Sequence, residues 1–225
     1  MHKKVLVVVA HPDDEVLGCG GTIAKHIDNG DIVSVLILAD GETSREARDI
    51  ESKVLLRQNA AKAANQVLGV EDLVVCEYPD NRLDTIPLLT LVQEIEVCLN
   101  LRTPEIIYTH NSKDVNIDHR VVHDAVIAAV RPEPNKRVKE IYFFEIPSST
   151  EYRPTTSANP FAPNYFVDIA KFLDKKVLSL TEYKSELRDF PHPRSIEAIK
   201  CLAKWRGASV GVYAAEAFEV GRIIR

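Results

Sequence analysis

The chain has 225 residues, 45% of them hydrophobic, with 28 Lys and Arg against 33 Asp and Glu and a formal net charge of −5. That length suits one α/β core and leaves two full domains cramped. The acidic balance, with no Lys/Arg cluster, argues against nucleic acid and anionic membrane as partners, and no stretch approaches the roughly 20 apolar residues that span a bilayer.

The elements follow in chain order. Lys3-Lys4 before an apolar run mimics a signal peptide, but the run ends in His-Pro-Asp-Asp-Glu and not in a small-residue cleavage site, so a soluble cytoplasmic protein is expected. Val5–Val9 is short, β-branched and uninterrupted, the pattern of a strand buried on both faces of a parallel sheet, and Pro12 ends it. A helix is predicted from Gly20 to Asn29, closed by Gly30. Ile32–Leu38 reads as a second buried strand closed by Asp40-Gly41, and a long helix runs from about Ser44 to Leu68, capped by Gly69. Leu73–Cys76 is a short strand, Tyr78 to Asp84 is irregular, and Pro87 to Leu101 is helical with proline in its first turn. Ile106–Thr109 is a strand, Asp118 to Val130 a helix, and Ile141–Glu145 a later strand. Pro147 to Asn164, with four prolines, is a long loop suited to a substrate-side lid. Helices follow over Ala170 to Leu187 and Ser195 to Lys204, and Ala214 to Ile224 reads as a terminal strand. No repeat, low-complexity segment or linker divides the chain. The expected fold is α/β, a Rossmann-like, doubly wound, mostly parallel sheet forming a single domain over 1–225. Cys19, Cys76, Cys98 and Cys201 are scattered and read as buried thiols in a reducing cytoplasm.

Two polar clusters stand out. Ala10-His-Pro-Asp-Asp-Glu15 delivers one imidazole and three carboxylates to the C-terminal edge of the first strand, where open α/β sheets bind ligands. So much negative charge repels itself unless a cation or protons offset it. The second cluster runs from Thr109 to His123 past another strand end and contains His110, Asp114, Asn116, Asp118, His119 and His123. Asp118 or Asn116 suits the helix N-cap, and His119 and His123 lie one turn apart on one face. Doubly wound topology puts both clusters on one sheet edge, where His11, Asp13 and Asp14 meet His119. Two nitrogens and a carboxylate with an open position form the pattern of catalytic zinc.

The competing readings are plainer. The first cluster also fits a solvated turn leading into a helix whose dipole favours acidic residues. Glu15 suits second-row support or simple capping. His123 fits a half-buried helix face, and His110 fits a strand end. Gly18, Gly20 and Gly21 lack the third glycine of a dinucleotide fingerprint. Asp80-Asn81-Arg82 is a polar turn whose functional version is a rim contact to sugar hydroxyls. His192 and Arg194 lie between prolines at the start of a helix, with substrate contact as the alternative. Tyr142, Phe143 and Phe144 read as core.

The chain resembles the PIG-L/LmbE family of zinc-dependent N-deacetylases of N-acetylglucosamine-type sugars. The matching stretches are Ala10–Glu15 with Gly18-Cys-Gly-Gly-Thr-Ile23, Arg57 ahead of Leu68-Gly69, Asn116-Ile-Asp-His-Arg120, His192-Pro-Arg-Ser195 and Ala215-Glu-Ala-Phe218. The resemblance implies that His11, Asp14 and His119 hold Zn²⁺ (or another divalent metal), which activates a water for attack on the amide. It also implies Asp13 as general base, Asp118 as a second-row carboxylate and Arg57 as a contact to substrate oxygens. Arg82 and Arg194 are further candidate substrate contacts.

Two departures matter. Asn116 stands where many members have a histidine, so it can donate a hydrogen bond but supply no proton; His110, His123 or Asp13 is then left for that role. Ala60 replaces the glutamate of an Arg-x-x-Glu pattern. The expected partner is a small N-acetylated sugar or conjugate, and homo-oligomers are common among related proteins. Alternatives are an amidase of a thiol conjugate or antibiotic, a nucleotide-binding oxidoreductase, and a catalytically silent zinc-dependent binding module.

Overall fold

The apolar run near the start of the chain becomes the middle of a seven-stranded sheet. In the computed structural model, which describes residues 2–44, 49–132, 138–154, 156 and 160–225, the strands are β1 (Lys4–Val9), β2 (Ile32–Ala39), β3 (Asp72–Tyr78), β4 (Ile106–His110), β5 (Glu140–Phe144), β6 (Tyr165–Asp168) and β7 (Ala215–Ile223). The helices are α1 (Asp14–Asp28), α2 (Ile50–Leu68), α3 (Leu88–Arg102), α4 (Ile117–Ala129), α5 (Leu173–Leu180) and α6 (Ile196–Ala208). Strand order is β3-β2-β1-β4-β5-β7-β6. The first five strands pair in parallel, whereas β7 runs antiparallel to both β5 and β6.

Burial on both faces explains the unbroken hydrophobic run of β1. Val5, Val7 and Val9 pack with Leu17, Ile23, Leu68, Leu180 and Phe218 on one side. Leu6, Val8 and Ala10 pack with Leu91, Ile95, Val122 and Val126 on the other. The chain winds outward from β1 through β2 to β3, then crosses back to β4 on the opposite side of β1. The carboxyl ends of β1 and β4 therefore flank the topological switch point, where such sheets open a ligand crevice.

Several elements differ from the sequence-based expectation. α1 begins at Asp14, six residues ahead of Gly20, and Cys19 interrupts it with φ −148°. The helix expected from Gly20 is thus the second half of a broken one. The glycines before the break serve packing: a Cβ on Gly18 would lie 2.5 Å from the Phe144 ring. The break frees the N–H groups of Gly21 and Thr22, which donate to Glu216 at 2.9 and 2.7 Å, an anion capping a helix start. Lys176 balances that carboxylate at 2.6 Å and also donates to the Leu17 carbonyl. Ala215-Glu-Ala-Phe218 is therefore a structural motif.

α2 starts at Ile50; part of its expected first turn lies outside the described residues. α5 covers only Leu173–Leu180 of the expected Ala170 to Leu187. β6, within four residues of the expected long loop's end, was not anticipated, because a short edge strand paired only to β7 has little periodicity to show. Cys19 and Cys98 are buried, whereas Cys76 is half-buried and Cys201 exposed, which corrects the expectation for those two; no disulfide links them. Among the described residues no helix is long and apolar enough to cross a membrane.

The Lys176–Glu216 pair generates a stability prediction. Lys176→Met leaves a buried carboxylate without its cation, and the cost is expected at about 3 kcal/mol. Urea unfolding followed by circular dichroism checks it. An unchanged midpoint would show that the helix N–H groups alone suffice.

Candidate metal centre and cleft

Both polar clusters leave the sheet at this switch point. After β1 the chain turns at His11-Pro12-Asp13, with Asp13 in a positive-φ conformation (φ 117°) that lets α1 start at once. After β4 it passes through Asn111 to Asn116, which N-caps α4 by accepting from the Asp118 N–H at 2.8 Å. His119 follows in the first turn of α4.

Asp14 is the meeting point. Its carboxylate is fully buried, and Oδ2 lies 3.2 Å from His11 Nδ1, 3.3 Å from His119 Nε2 and 3.5 Å from His110 Nε2. Burial works against its charge, but the charge of His119 and the hydrogen bond from His11 outweigh burial and hold its carboxyl well below the usual range. Burial likewise opposes charge on His119, yet Asp14 and Asp114 hold its pKa up at about 9. The two His119 nitrogens lie 3.3 and 3.2 Å from carboxylate oxygens of Asp14 and Asp114, yet neither pair is aligned as a hydrogen bond. Asp14 Oδ1 has no partner either. Unpartnered buried donor atoms of one carboxylate and one imidazole, with a second imidazole beside them, are what a divalent cation satisfies. His11, Asp14 and His119 have ligand atoms all within 4.8 Å of one another, and this donor set suits zinc.

His11 faces two ways. Its Nδ1 looks to Asp14, while Nε2 lies 3.1 Å from Asp118 and 3.2 Å from Asp80. Burial disfavours its charge, but hydrogen bonds to Asp118, Asp14 and Asp80 outweigh that and raise its pKa well above the usual value. Asp118 also accepts from the Leu83 N–H, which fixes it as an orienting group for His11. Asp80, read from sequence as part of a polar turn, is a second orienting carboxylate. It is seated by the Ser44 hydroxyl and, through its own N–H, by Thr43.

A polar cleft of about 90 Å³ opens beside this group, lined by His11, Pro12, Asp13, Gly41, Arg57, Asp80, Asn81, Asn116, Glu186 and Arg194. Asp13 forms part of its wall and accepts from Arg194 at 3.0 Å. Burial pushes the Asp13 carboxyl up to about 6, Arg194 opposing. Arg57 pairs with Glu42 and Glu186 and keeps one buried amino group, Nη1, without a partner. Glu15 points away from the cleft and accepts from Tyr183 and Asn65, a structural post for the turn.

Other sequence candidates fall outside the cleft. His110 is fully buried, accepts from the Ala10 N–H at 2.9 Å, and is held neutral by burial and by His119, so it braces β1 against β4. His123 spends its Nδ1 on the His110 carbonyl and its ring on Phe143. Neither ring reaches the cleft to supply a proton. Arg82 is exposed and does not line the cleft; its neighbour Asn81 does. Glu186 and Gly41 carried no site role in the sequence reading, Asp114 stood in the second cluster without a role of its own, and Asp80 read as a polar turn or rim contact; Asp80 and Gly41 sit past strand ends, the one signal that flags them.

An α/β sheet with candidate His and Asp ligands at its switch point and an acidic residue on the cleft wall has the layout of a metal-dependent enzyme. The profile described as "PIG-L: GlcNAc-PI de-N-acetylase" matches residues 6–130, and the chain belongs to this enzyme family. A Bacillus cereus protein described as "Probable N-acetyl-alpha-D-glucosaminyl L-malate deacetylase 2" is 27% identical over 195 residues, 83% of this chain and 84% of that one. The 4-oxalmesaconate hydratase of Pseudomonas putida is 32% identical over 199 residues, 79% of this chain and 72% of its own. The fold matches N,N'-diacetylchitobiose deacetylase from Pyrococcus horikoshii with TM-score 0.80 at 23% identity, covering 98% of this chain and 84% of that one.

Gly41 allows the tight approach at the cleft floor. It has φ +78°, and a Cβ there would lie 2.9 Å from Pro12 Cδ. Gly41→Ala is therefore expected to cost about 1–2 kcal/mol from backbone strain alone, read as a lower melting temperature. Unaltered melting would show that the Pro12 turn yields freely.

Proposed function

We propose that the chain is a divalent-metal-dependent N-deacetylase of N-acetylglucosamine-type sugars or sugar conjugates, with zinc as the metal. The observation that carries this is the trio His11, Asp14 and His119, with unpartnered donor atoms, opening onto a cleft whose wall holds Asp13. A zinc ion held there lowers the pKa of water toward about 7 and polarises an amide carbonyl.

The residues of the chain do the rest. Asp13, on the cleft wall, takes the proton of the attacking water as general base. Asn116, at the cleft and hydrogen-bonded to Asn81, donates from its amide to the developing oxyanion. The C–N bond then breaks, and since Asn116 has no proton to give, Asp13 returns the one it took to the departing amine. Acetate and a free amine result. Arg57 Nη1, buried and without a partner, is the donor left for a substrate oxygen. Arg194, paired with Asp13 and Glu186, orients the base.

The P. putida relative's name favours a second reading, addition of water to a carbon–carbon double bond. The same base and metal serve both reactions. The charge of the cleft separates them: Arg57 and Arg194 are matched to Glu42, Glu186 and Asp13, an arrangement better suited to a neutral acetamide than to a carboxylate-rich substrate.

The test is amine and acetate release from free, nucleotide-linked and lipid-linked N-acetylhexosamines, beside an assay for loss of conjugated double bonds in unsaturated dicarboxylates. Chelation is expected to abolish release. Asp13→Asn is expected to keep the metal and lose about 10²–10⁴ of the rate. Silence on every amide with turnover of the unsaturated acid would replace the deacetylase reading with the hydratase one. Loss of metal in Asp13→Asn would refute the division of roles.

A further inference from the structure

The loop after β5 reaches the candidate metal centre through Asp114. This residue is fully buried, yet no role was assigned to it from the sequence. Its Oδ1 accepts from the Ser149 hydroxyl and, at 2.9 Å, from the Asn116 N–H. Its Oδ2 accepts from the Thr150 hydroxyl at 2.7 Å and lies 3.2 Å from His119 Nδ1. Thr150 Oγ1 also accepts from the Ile146 N–H at 2.8 Å, so its single proton is directed at Asp114. Donors on both oxygens define an ionised carboxylate that can only accept.

From this arrangement we infer that Asp114, clamped by Ser149 and Thr150, is the positioning residue that selects the tautomer of His119 and aims its Nε2 at the metal; the inference rests on the metal-dependent reading above. An acceptor 3.2 Å from Nδ1, within reach of a small turn of the ring, favours the proton there. A ligand role needs a bare Nε2, so the ring that Asp14 and Asp114 favour as a cation would give up that proton, keep the one on Nδ1 and turn the Nε2 lone pair toward Asp14 Oδ2, 3.3 Å away. Two electron-rich atoms at that separation are reconciled by a cation between them. The His110 ring, stacked on His119 with centroids 4.0 Å apart and planes 15° from parallel, limits tilting of the ring. Asp114 thereby does for His119 what Asp118 does for His11, and each candidate ligand histidine has its own carboxylate. Such outer partners set metal affinity because they fix both tautomer and ring orientation.

The experiment compares zinc dissociation constants of the wild-type full chain and Asp114→Asn, by competition with a chromophoric chelator, with thermal melting of both metal-free proteins. Zinc is expected to bind Asp114→Asn about 10- to 100-fold more weakly. ¹⁵N NMR of the metal-free wild type, recorded at a pH above the His119 value of about 9 so that the ring is neutral, is expected to show His119 protonated at Nδ1, and the variant to lose that preference. Ser149→Ala, which removes one clamp and keeps the carboxylate, is expected to weaken zinc by a smaller factor, about 3- to 10-fold. That variant carries the test if Asp114→Asn does not fold. Lower melting with an unchanged zinc constant would make Asp114 a structural group only and overturn the inference. Failure of the wild type itself to bind zinc would overturn the metal-dependent reading, and this inference with it.

Discussion

A carboxylate that no water reaches sets the terms for the rest of the site. Burying an ionised Asp14 costs several kcal/mol unless positive charge or aligned donors stand beside it, and the chain surrounds it with the His11 N–H and three imidazoles. Each imidazole then needs its own fixing. His11 is held by Asp118 and Asp80, His119 by Asp114, and His110 by the Ala10 N–H. Those holders are seated in turn by backbone N–H groups and by the hydroxyls of Ser44, Ser149 and Thr150. The charge of one residue thus propagates through two layers of polar contacts, each anchored past a strand end.

The sheet makes this economical. Parallel strands buried on both faces are mostly apolar between their ends, so the charged and imidazole groups of β1 and β4 gather at the carboxyl edge, beside the crevice. Placing one acidic motif after β1 and another before α4 is enough for the topology to bring them together. Without the crossover from β3 to β4, the same residues would lie strands apart.

This logic also explains what could be read from the sequence. The parallel strands were legible because two-sided burial leaves an uninterrupted apolar run, and the ligand candidates were legible because Pro12 and Asn116 mark where strand or loop ends. The start of α1 was not, since Gly18, Gly20 and Gly21 lower helix propensity while close packing demands Gly18 against Phe144 and Gly21 against Ile169. The four-residue β6 was not, because its stability comes from β7, which lies some fifty residues later in the chain. Glu186 has no local signature, and Asp80 and Asp114 show only that they follow strand ends; the three-dimensional meeting of distant loops gives all three their task. His110 and His123 misled for the opposite reason, because a histidine near a metal motif reads the same whether it faces the ion or braces a strand.

The cleft is assembled from two stretches of chain that are far apart in sequence. The stretch from His11 to Asn116 supplies most of its lining, the candidate base Asp13 included, whereas the rest is Glu186 and Arg194, joined to it through the Arg57–Glu186 and Arg194–Asp13 ion pairs. The late segment holds none of the three candidate ligands. Substitutions at Glu186 or Arg194 would reshape the crevice while His11, Asp14 and His119 keep their places, so the lining of this scaffold and its candidate ligand set can change independently.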